Sequence, residues 1–155
     1  KCYGNEGIIL RLSNVIGEHD PNQRFLPLML NRIPKNKDVE IYGKEKVLDF
    51  TDIYDVINGI LTVIKNYDRM GRDKLPIYNL AFGKGEKLVD VARYIKNKYK
   101  SKSKIIIKKN HIGEVVRYTA CIDKIKKFTG WKPTTDVYQT IDRIIKNENY
   151  YAKSI

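Results

Sequence analysis

The 155-residue sequence predicts a mixed α/β fold, on three observations. Gly7-Ile8-Ile9-Leu10-Arg11-Leu12 is a short apolar run opened by glycine, the pattern of a strand buried on both faces in a parallel sheet. Ile53, Val56, Ile57, Ile60, Leu61 and Ile64 recur at i, i+3, i+4, i+7, i+8 and i+11, which puts them on one face of a helix. Ile77 to Phe82 then reads as a second strand. The turn Gly83 to Gly85 leads from it into a second helix, with Leu88, Val91, Ala92, Ile95 and Tyr99 as its buried stripe.

The remaining elements follow in chain order. Asn14 to Pro21 has the Gly/Asn/Asp/Pro chemistry of a loop. Phe25 to Ile33 is helical, with Pro27 tolerable only in the first turn and Pro34 ending it. Val39-Glu40-Ile41-Tyr42-Gly43 alternates as a strand, and Asp52 stands where the 53–64 helix needs an N-cap. Ile105 to Lys108 is a further strand. Ile122, Ile125 and Phe128 mark a short helix stopped by Gly130, and Val137, Ile141, Ile144 and Ile145 a terminal one capped near Thr135 or Asp136.

A chain of this length buries roughly 68–70% of its unfolded surface, so a single domain over residues 1–155 is expected. Its 42% hydrophobic and 31% charged residues exclude disorder, and the lack of any long apolar run excludes a membrane-spanning or fibrous role. Nothing at the start of the chain reads as a signal peptide. Cys2 and Cys121 form neither a disulfide framework nor a metal motif, so the expected compartment is the cytoplasm. Thirty Lys and Arg against 18 Asp and Glu give +12, which favours anionic partners: phosphorylated metabolites, nucleic acid or acidic membrane. Part of that charge is a lysine excess that an AT-rich or thermophilic genome also produces.

Several short motifs have ordinary explanations. Tyr42-x-x-x-Lys46 and Tyr94-x-x-x-Lys98 have the spacing at which a lysine can depress a tyrosine pKa on a helix, but a chain this rich in both residues yields such matches by chance. Gly83-Lys84-Gly85 lies between a strand and a helix, yet Leu88 stands where a dinucleotide fingerprint has its third glycine, and a plain turn is the reading. His19, between Glu18 and Asp20, has no second His or Cys at ligand spacing. Lys96 to Lys109 holds seven lysines and no acid beside Tyr94 and Tyr99, the composition of a nucleic-acid surface. Those lysines are set at a helix end, a Lys-Ser-Lys-Ser-Lys loop and a strand edge, where lysine serves to block pairing, and nucleic acid is not the favoured partner.

Four segments, in order and over nearly the whole chain, resemble the C-terminal half of the extended short-chain dehydrogenases, the nucleotide-sugar epimerase and dehydratase family. Leu10-Arg11-Leu12-Ser13-Asn14-Val15-Ile16-Gly17 resembles the family's Arg-x-x-Asn-Val-Tyr-Gly strand and loop. Ile41-Tyr42-Gly43 with Asp49-Phe50-Thr51 and Ile53-Tyr54-Asp55-Val56 resembles its "IYG, then RDF-x-x-V-x-DV" passage. Tyr78-Asn79-Leu80-Ala81-Phe82-Gly83-Lys84-Gly85 is similar to its "YN-(I/L)-(G/A)-x-G" turn. Gly113-Glu114-Val115, with Lys124 through Pro133, is similar to "GDV, then K-A-K-x-x-L-G-W-x-P".

The resemblance implies an α/β chain that is the C-terminal substrate-binding lobe plus the last strands of a Rossmann sheet. The cofactor half would carry the Gly-x-x-Gly-x-x-Gly turn, the catalytic Ser/Thr and the Tyr-x-x-x-Lys helix, and would act in cis or in trans. NAD or NADP would belong to the complete enzyme, whose chemistry is hydride transfer on a nucleoside-diphosphate sugar. The isolated chain is expected to bind no cofactor, to carry no catalytic residue and to show no turnover. The Ile8–Leu12 strand is expected to leave an apolar edge or face exposed.

Position by position, the resemblance implies that Asn14 contacts substrate phosphates and that Ser13 offers backbone near the nicotinamide. Arg24, Phe25 and Leu26 match the segment at the diphosphate and base, where helix N-terminal amides suit an anion. Glu40 and Tyr42 flank the base, and Tyr118 lies near the substrate. Two positions depart from the pattern: Leu48 replaces the arginine of "RDF", and His111 replaces the arginine before "GDV". Both changes remove fork-shaped phosphate contacts, so either the substrate is unusual or Arg24, Arg117 or a lysine substitutes. The alternative reading is a non-catalytic partner or regulatory fragment that binds a polyanion through its lysines.

Overall fold

The computed structural model describes residues 7–22, 24–69 and 76–152, with 148–152 described by backbone alone. Cys2 lies outside them. In chain order the elements are β1 (Ile9–Leu12), β2 (Asn14–Ile16), α1 (Phe25–Arg32), β3 (Val39–Tyr42), β4 (Val47–Asp52), α2 (Ile53–Lys65), β5 (Ile77–Leu80), β6 (Gly85–Lys87), α3 (Leu88–Lys98), β7 (Ile105–Lys108), α4 (Asp123–Thr129) and α5 (Val137–Ala152). The strands form three small sheets. β1 pairs β5 in parallel, β3 pairs β7 in parallel, and β4 is central in the third, parallel to β2 and antiparallel to β6.

Local chemistry explains the boundaries. Pro27 sits in the first turn of α1, and Pro34 lies in the short 3-10 segment Ile33–Lys35 that ends it. The Asp52 carboxylate accepts the Tyr54 N–H at 2.9 Å as the N-cap of α2. Asp136 and Gln139 form a reciprocal capping box at the head of α5. Gly130 closes α4 with φ of 72°.

Residues 14–16 correct the loop expectation, since Asn14, Val15 and Ile16 align in parallel with Phe50, Thr51 and Asp52. Their neighbour β4 is hard to see in the sequence because Asp49, Thr51 and Asp52 are fully buried polar residues where an apolar strand would show Val or Ile. Such residues enter a core only when their polar atoms are bonded, and that bonding is long-range.

Two cores result. One gathers Leu26, Met29, Ile33, Ile41, Ile95 and Ile141 between α1, β3, α3 and α5. The other packs Val56 and Val63 of α2 on Tyr78 and Leu80 of β5, with Ile125 and Trp131. Here the helix stripe inferred from periodicity is corrected. Only Val56 of that stripe is fully buried, whereas Ile57, Ile60, Leu61 and Ile64 are exposed by 37–63%. The reason is Gly59: Leu80 and Trp131 occupy the space a Cβ would fill, so α2 meets β5 along its line of closest approach and not along its most apolar one. Gly59→Ala is expected to destabilise by about 1–2 kcal/mol, overpacking outweighing the helix-propensity gain. Urea unfolding reads this directly, and a neutral result would mean that α2 slides freely on β5.

β1 is likewise not buried on both faces. Ile9 is 42% and Leu12 45% exposed, because β5 is its one strand partner among the described residues. No helix among those residues is long and apolar enough to cross a membrane.

Candidate functional site

Segment 108–118 lies along residues 42–48 and is bonded to them at several points. The Gly43 N–H donates to the Lys108 carbonyl at 2.9 Å, Lys46 pairs with Glu114 at 2.7 Å, and Val47 exchanges backbone bonds with Val116 and Tyr118 at 2.9 Å. Gly43 adopts φ of 93°, and the Asn110 side chain fills the place of its missing Cβ, which ties the two segments closely.

This alignment stacks Tyr42 on His111, ring centroids 4.3 Å apart and planes 24° from parallel. The Tyr42 hydroxyl donates to Glu40 at 2.9 Å, and Lys108 approaches the same carboxylate at 3.5 Å. The hydrogen bond from Tyr42 and the charge of Lys108 hold the Glu40 carboxyl below its ordinary value, and the Glu40 bond and charge push Tyr42 up. Asn110 Oδ1 is a buried acceptor with no hydrogen-bond partner among the described residues. Stacked rings with a carboxylate at one rim suit a planar polar ring. Glu40, Tyr42 and His111, chosen from separate segments of the sequence, are thus neighbours in space.

The other candidates gather around β4. Ser13 Oγ is 2.5 Å from Thr51 Oγ1, and Asn14 Nδ2 donates to the Asp49 carbonyl at 2.9 Å, so part of Asn14's capacity holds β2 to β4. Phe25 rests near Phe50, centroids 6.1 Å apart, and Leu48 is half-buried against the same core as Phe25. Tyr118 is 37% exposed and is brought beside Leu48 by its bond to Val47. Leu26 differs from the rest. It is 3% exposed, so it can offer a ligand only its backbone. Arg24 keeps 52% of its side chain exposed while pairing with Asp20 at 2.7 Å, at the head of a helix that has no side-chain cap.

Sequence reasoning missed the residues that hold these groups in place. Asp49 accepts the backbone N–H of Phe82 at 3.1 Å, Gly83 at 3.0 Å and Ala120 at 3.1 Å, joining three segments. Burial pushes its carboxyl above the ordinary value, against the pull of those donors. On α5, Arg143 bonds Glu18 at 2.7 Å and Asp52 at 2.5 Å, and Asn147 adds a bond to Glu18 at 3.1 Å. This clamp fixes the loop that runs from β2 to α1. A buried-type position filled by aspartate within Asp49-Phe50-Thr51 was the one available signal.

The remaining motifs are structural. Tyr94 and Lys98 both engage Asp142, at 2.9 and 2.8 Å, so that Tyr-x-x-x-Lys pair braces α3 against α5. Tyr42-x-x-x-Lys46 runs from a strand into a turn, not along a helix. Gly83 to Gly85 joins β5 to β6, strand to strand, and the Gly83 amide is already held by Asp49.

Comparison with known proteins places these observations. Residues 1–81 match the family described as NAD dependent epimerase/dehydratase. A protein of Methanocaldococcus jannaschii assigned by inference as a UDP-glucose 4-epimerase is 31% identical over 96% of this chain and 48% of its own length. Among solved structures, an epimerase from Methanothermobacter thermautotrophicus aligns with a TM-score of 0.84 at 16% identity, over 97% of this chain and 46% of that one. A UDP-glucose 4-epimerase from Thermotoga maritima, solved with UDP-glucose, aligns with a TM-score of 0.81 at 22% identity, over 98% and 48%. The chain spans about half the length of the curated relatives it matches.

Proposed function

Because the chain belongs to the NAD dependent epimerase/dehydratase family, we propose that it is the substrate-binding half of a nucleotide-sugar epimerase or dehydratase. It binds a nucleoside-diphosphate sugar. The observation that carries this reading is the Tyr42–His111 ring pair, assembled from two segments and rimmed by Glu40. The base lies against that pair, and the phosphates lie toward Asn14 and the head of α1, whose first-turn amides meet no side-chain cap among the described residues and suit an anion.

The described residues do not fit NAD or NADP. Their Gly-x-Gly turn joins two strands, with one amide already bonded by Asp49, and it presents no helix N-terminus to a pyrophosphate. No hydride step is therefore assigned to these side chains. Within the complete enzyme, Ser13 would offer its backbone near the nicotinamide. The chain's own task is to bind the diphosphate and base and to orient the sugar.

Calorimetry with UDP-glucose, CDP-glucose and dTDP-glucose tests the reading. Saturable binding is expected, weakened about tenfold by Tyr42→Ala, while no saturation by about 10 mM of any of the three would sink it. Leu48→Arg restores a fork-shaped donor at the edge of this site and is expected to tighten binding tenfold to a hundredfold, roughly 1.5–3 kcal/mol. That gain should shrink with Asn14→Ala if both residues touch one anion, and full additivity would place the phosphates elsewhere.

A further inference from the structure

The strand that carries half of the ring pair also sets what stands at its rim. Along β3, Val39 and Ile41 are buried, so the alternation of a strand turns Glu40 and Tyr42 to the opposite, outer face, two residues apart. Tyr42 stands opposite Lys108 in the parallel register with β7, which adds that lysine to the same face. His111 covers one side of the Tyr42 ring. Two carboxylates come near this surface: Glu114, which is paired with Lys46 at 2.7 Å, and Glu40, at the hydroxyl end of the tyrosine.

Glu40 accepts the Tyr42 hydroxyl on Oε2 at 2.9 Å and has the Lys108 ammonium 3.5 Å from Oε1. Both neighbours are donors and hold it ionised, and an ionised carboxylate can only accept. Its two oxygens offer about four lone-pair sites, so about half remain open. The side chain is 44% exposed, within reach of a ligand lying on the rings. Nucleic-acid bases differ in what they offer such a group. Cytosine, guanine and adenine carry an exocyclic amino group that a carboxylate accepts, whereas uracil and thymine set one N–H between two carbonyl oxygens that repel it.

From this placement we infer that Glu40 selects the base, and that the ligand is a nucleoside diphosphate whose base bears an exocyclic amino group in preference to uracil or thymine. The inference rests on the reading above, that a base lies against Tyr42 and His111. A ring stacked at van der Waals distance, about 3.5 Å, with its edge over the tyrosine hydroxyl brings an amino group to Glu40, where it donates a charge-assisted bond. Uracil in the same pose sets O4 against the same negative charge. Lys108 is the competing group, since its ammonium could donate to that O4 and favour uracil instead.

Calorimetry on the chain with matched nucleoside diphosphates tests the selection. At least one of CDP, GDP and ADP should bind about tenfold more tightly than its counterpart without the amino group, UDP for the first and IDP for the other two; tenfold is the low end for a bond to a charged group, because Glu40 stays partly in water. The tightest of the three names the base. Glu40→Gln keeps an acceptor for the Tyr42 hydroxyl and faces a carbonyl or an amino group alike, so it should bring the paired affinities to within about twofold. Lys108→Met should leave the preference in place. Equal affinities within every pair, tighter binding of UDP, a preference that survives Glu40→Gln or one that vanishes with Lys108→Met would each overturn the inference, and with saturable binding would leave the proposed function standing. No saturation by any of these diphosphates at about 10 mM would remove both.

Discussion

Arg143→Ala is expected to lower the midpoint of thermal unfolding by roughly 10 °C, corresponding to about 3 kcal/mol in a chain of this size. The guanidinium joins Glu18, whose side chain is 13% exposed, to Asp52, whose side chain is fully buried. Removing it leaves two carboxylates facing each other without their cation. About 3 kcal/mol is the low end for a broken buried pair, because Arg143 itself keeps 28% of its side chain in water. The effect has a pH signature. Burial raises the Glu18 carboxyl, but the bonds from Arg143 and from its own backbone amide pull it, on balance, below its ordinary value. A depressed folded-state pKa contributes stability that is present above the unfolded value of 4.5 and is lost as pH falls through the folded one. The gap between wild type and Arg143→Ala should therefore narrow on acidification. Calorimetric scans at several pH values check this, and a gap independent of pH would mean that Glu18 does not sense Arg143.

Asp49→Ala is expected to cost about 3–5 kcal/mol, since it strands the buried N–H of Ala120 and the part-buried N–H of Gly83. Phe82 keeps a second acceptor, Thr51 Oγ1 at 2.8 Å, and contributes less to the loss. The pH signature is opposite to that of Arg143. Burial raises the Asp49 carboxyl above 3.8 in the folded chain, so folding favours its protonated form. The wild type gains from this as pH falls through the folded value toward 3.8, and alanine cannot. The gap between wild type and Asp49→Ala should widen on acidification. Urea unfolding at neutral and acidic pH decides it, and a gap that narrows would show that the three donors outweigh desolvation. The loss should also reach the site, because the β5–β6 turn and the segment following Tyr118 are both held by this carboxylate.

Elements dictated by local chemistry were legible in the sequence. α1 with Pro27 in its first turn and Pro34 at its end, α2 behind Asp52, α3 by its stripe and α4 before Gly130 all follow from backbone restriction and capping, which depend on a few neighbouring residues. The four ordered motifs were enough to identify the family. β4 was not legible, because its polar residues are tolerated only through bonds to Ser13, Phe82, Gly83 and Ala120 across the fold. Nor was the choice of which face of α2 is buried. The sequence by itself determined that α2 is apolar over most of its circumference. Close approach at Gly59 decided that Val56 and Val63 meet β5 while Ile57, Ile60, Leu61 and Ile64 remain in water. Likewise Tyr42 and His111 were separate candidates until β3 paired with β7 and drew the following segment back along residues 42–48. Short-range rules fix helices and turns, but which surfaces meet depends on shape and hydrogen bonds between residues far apart in the chain, and only the tertiary structure supplies those.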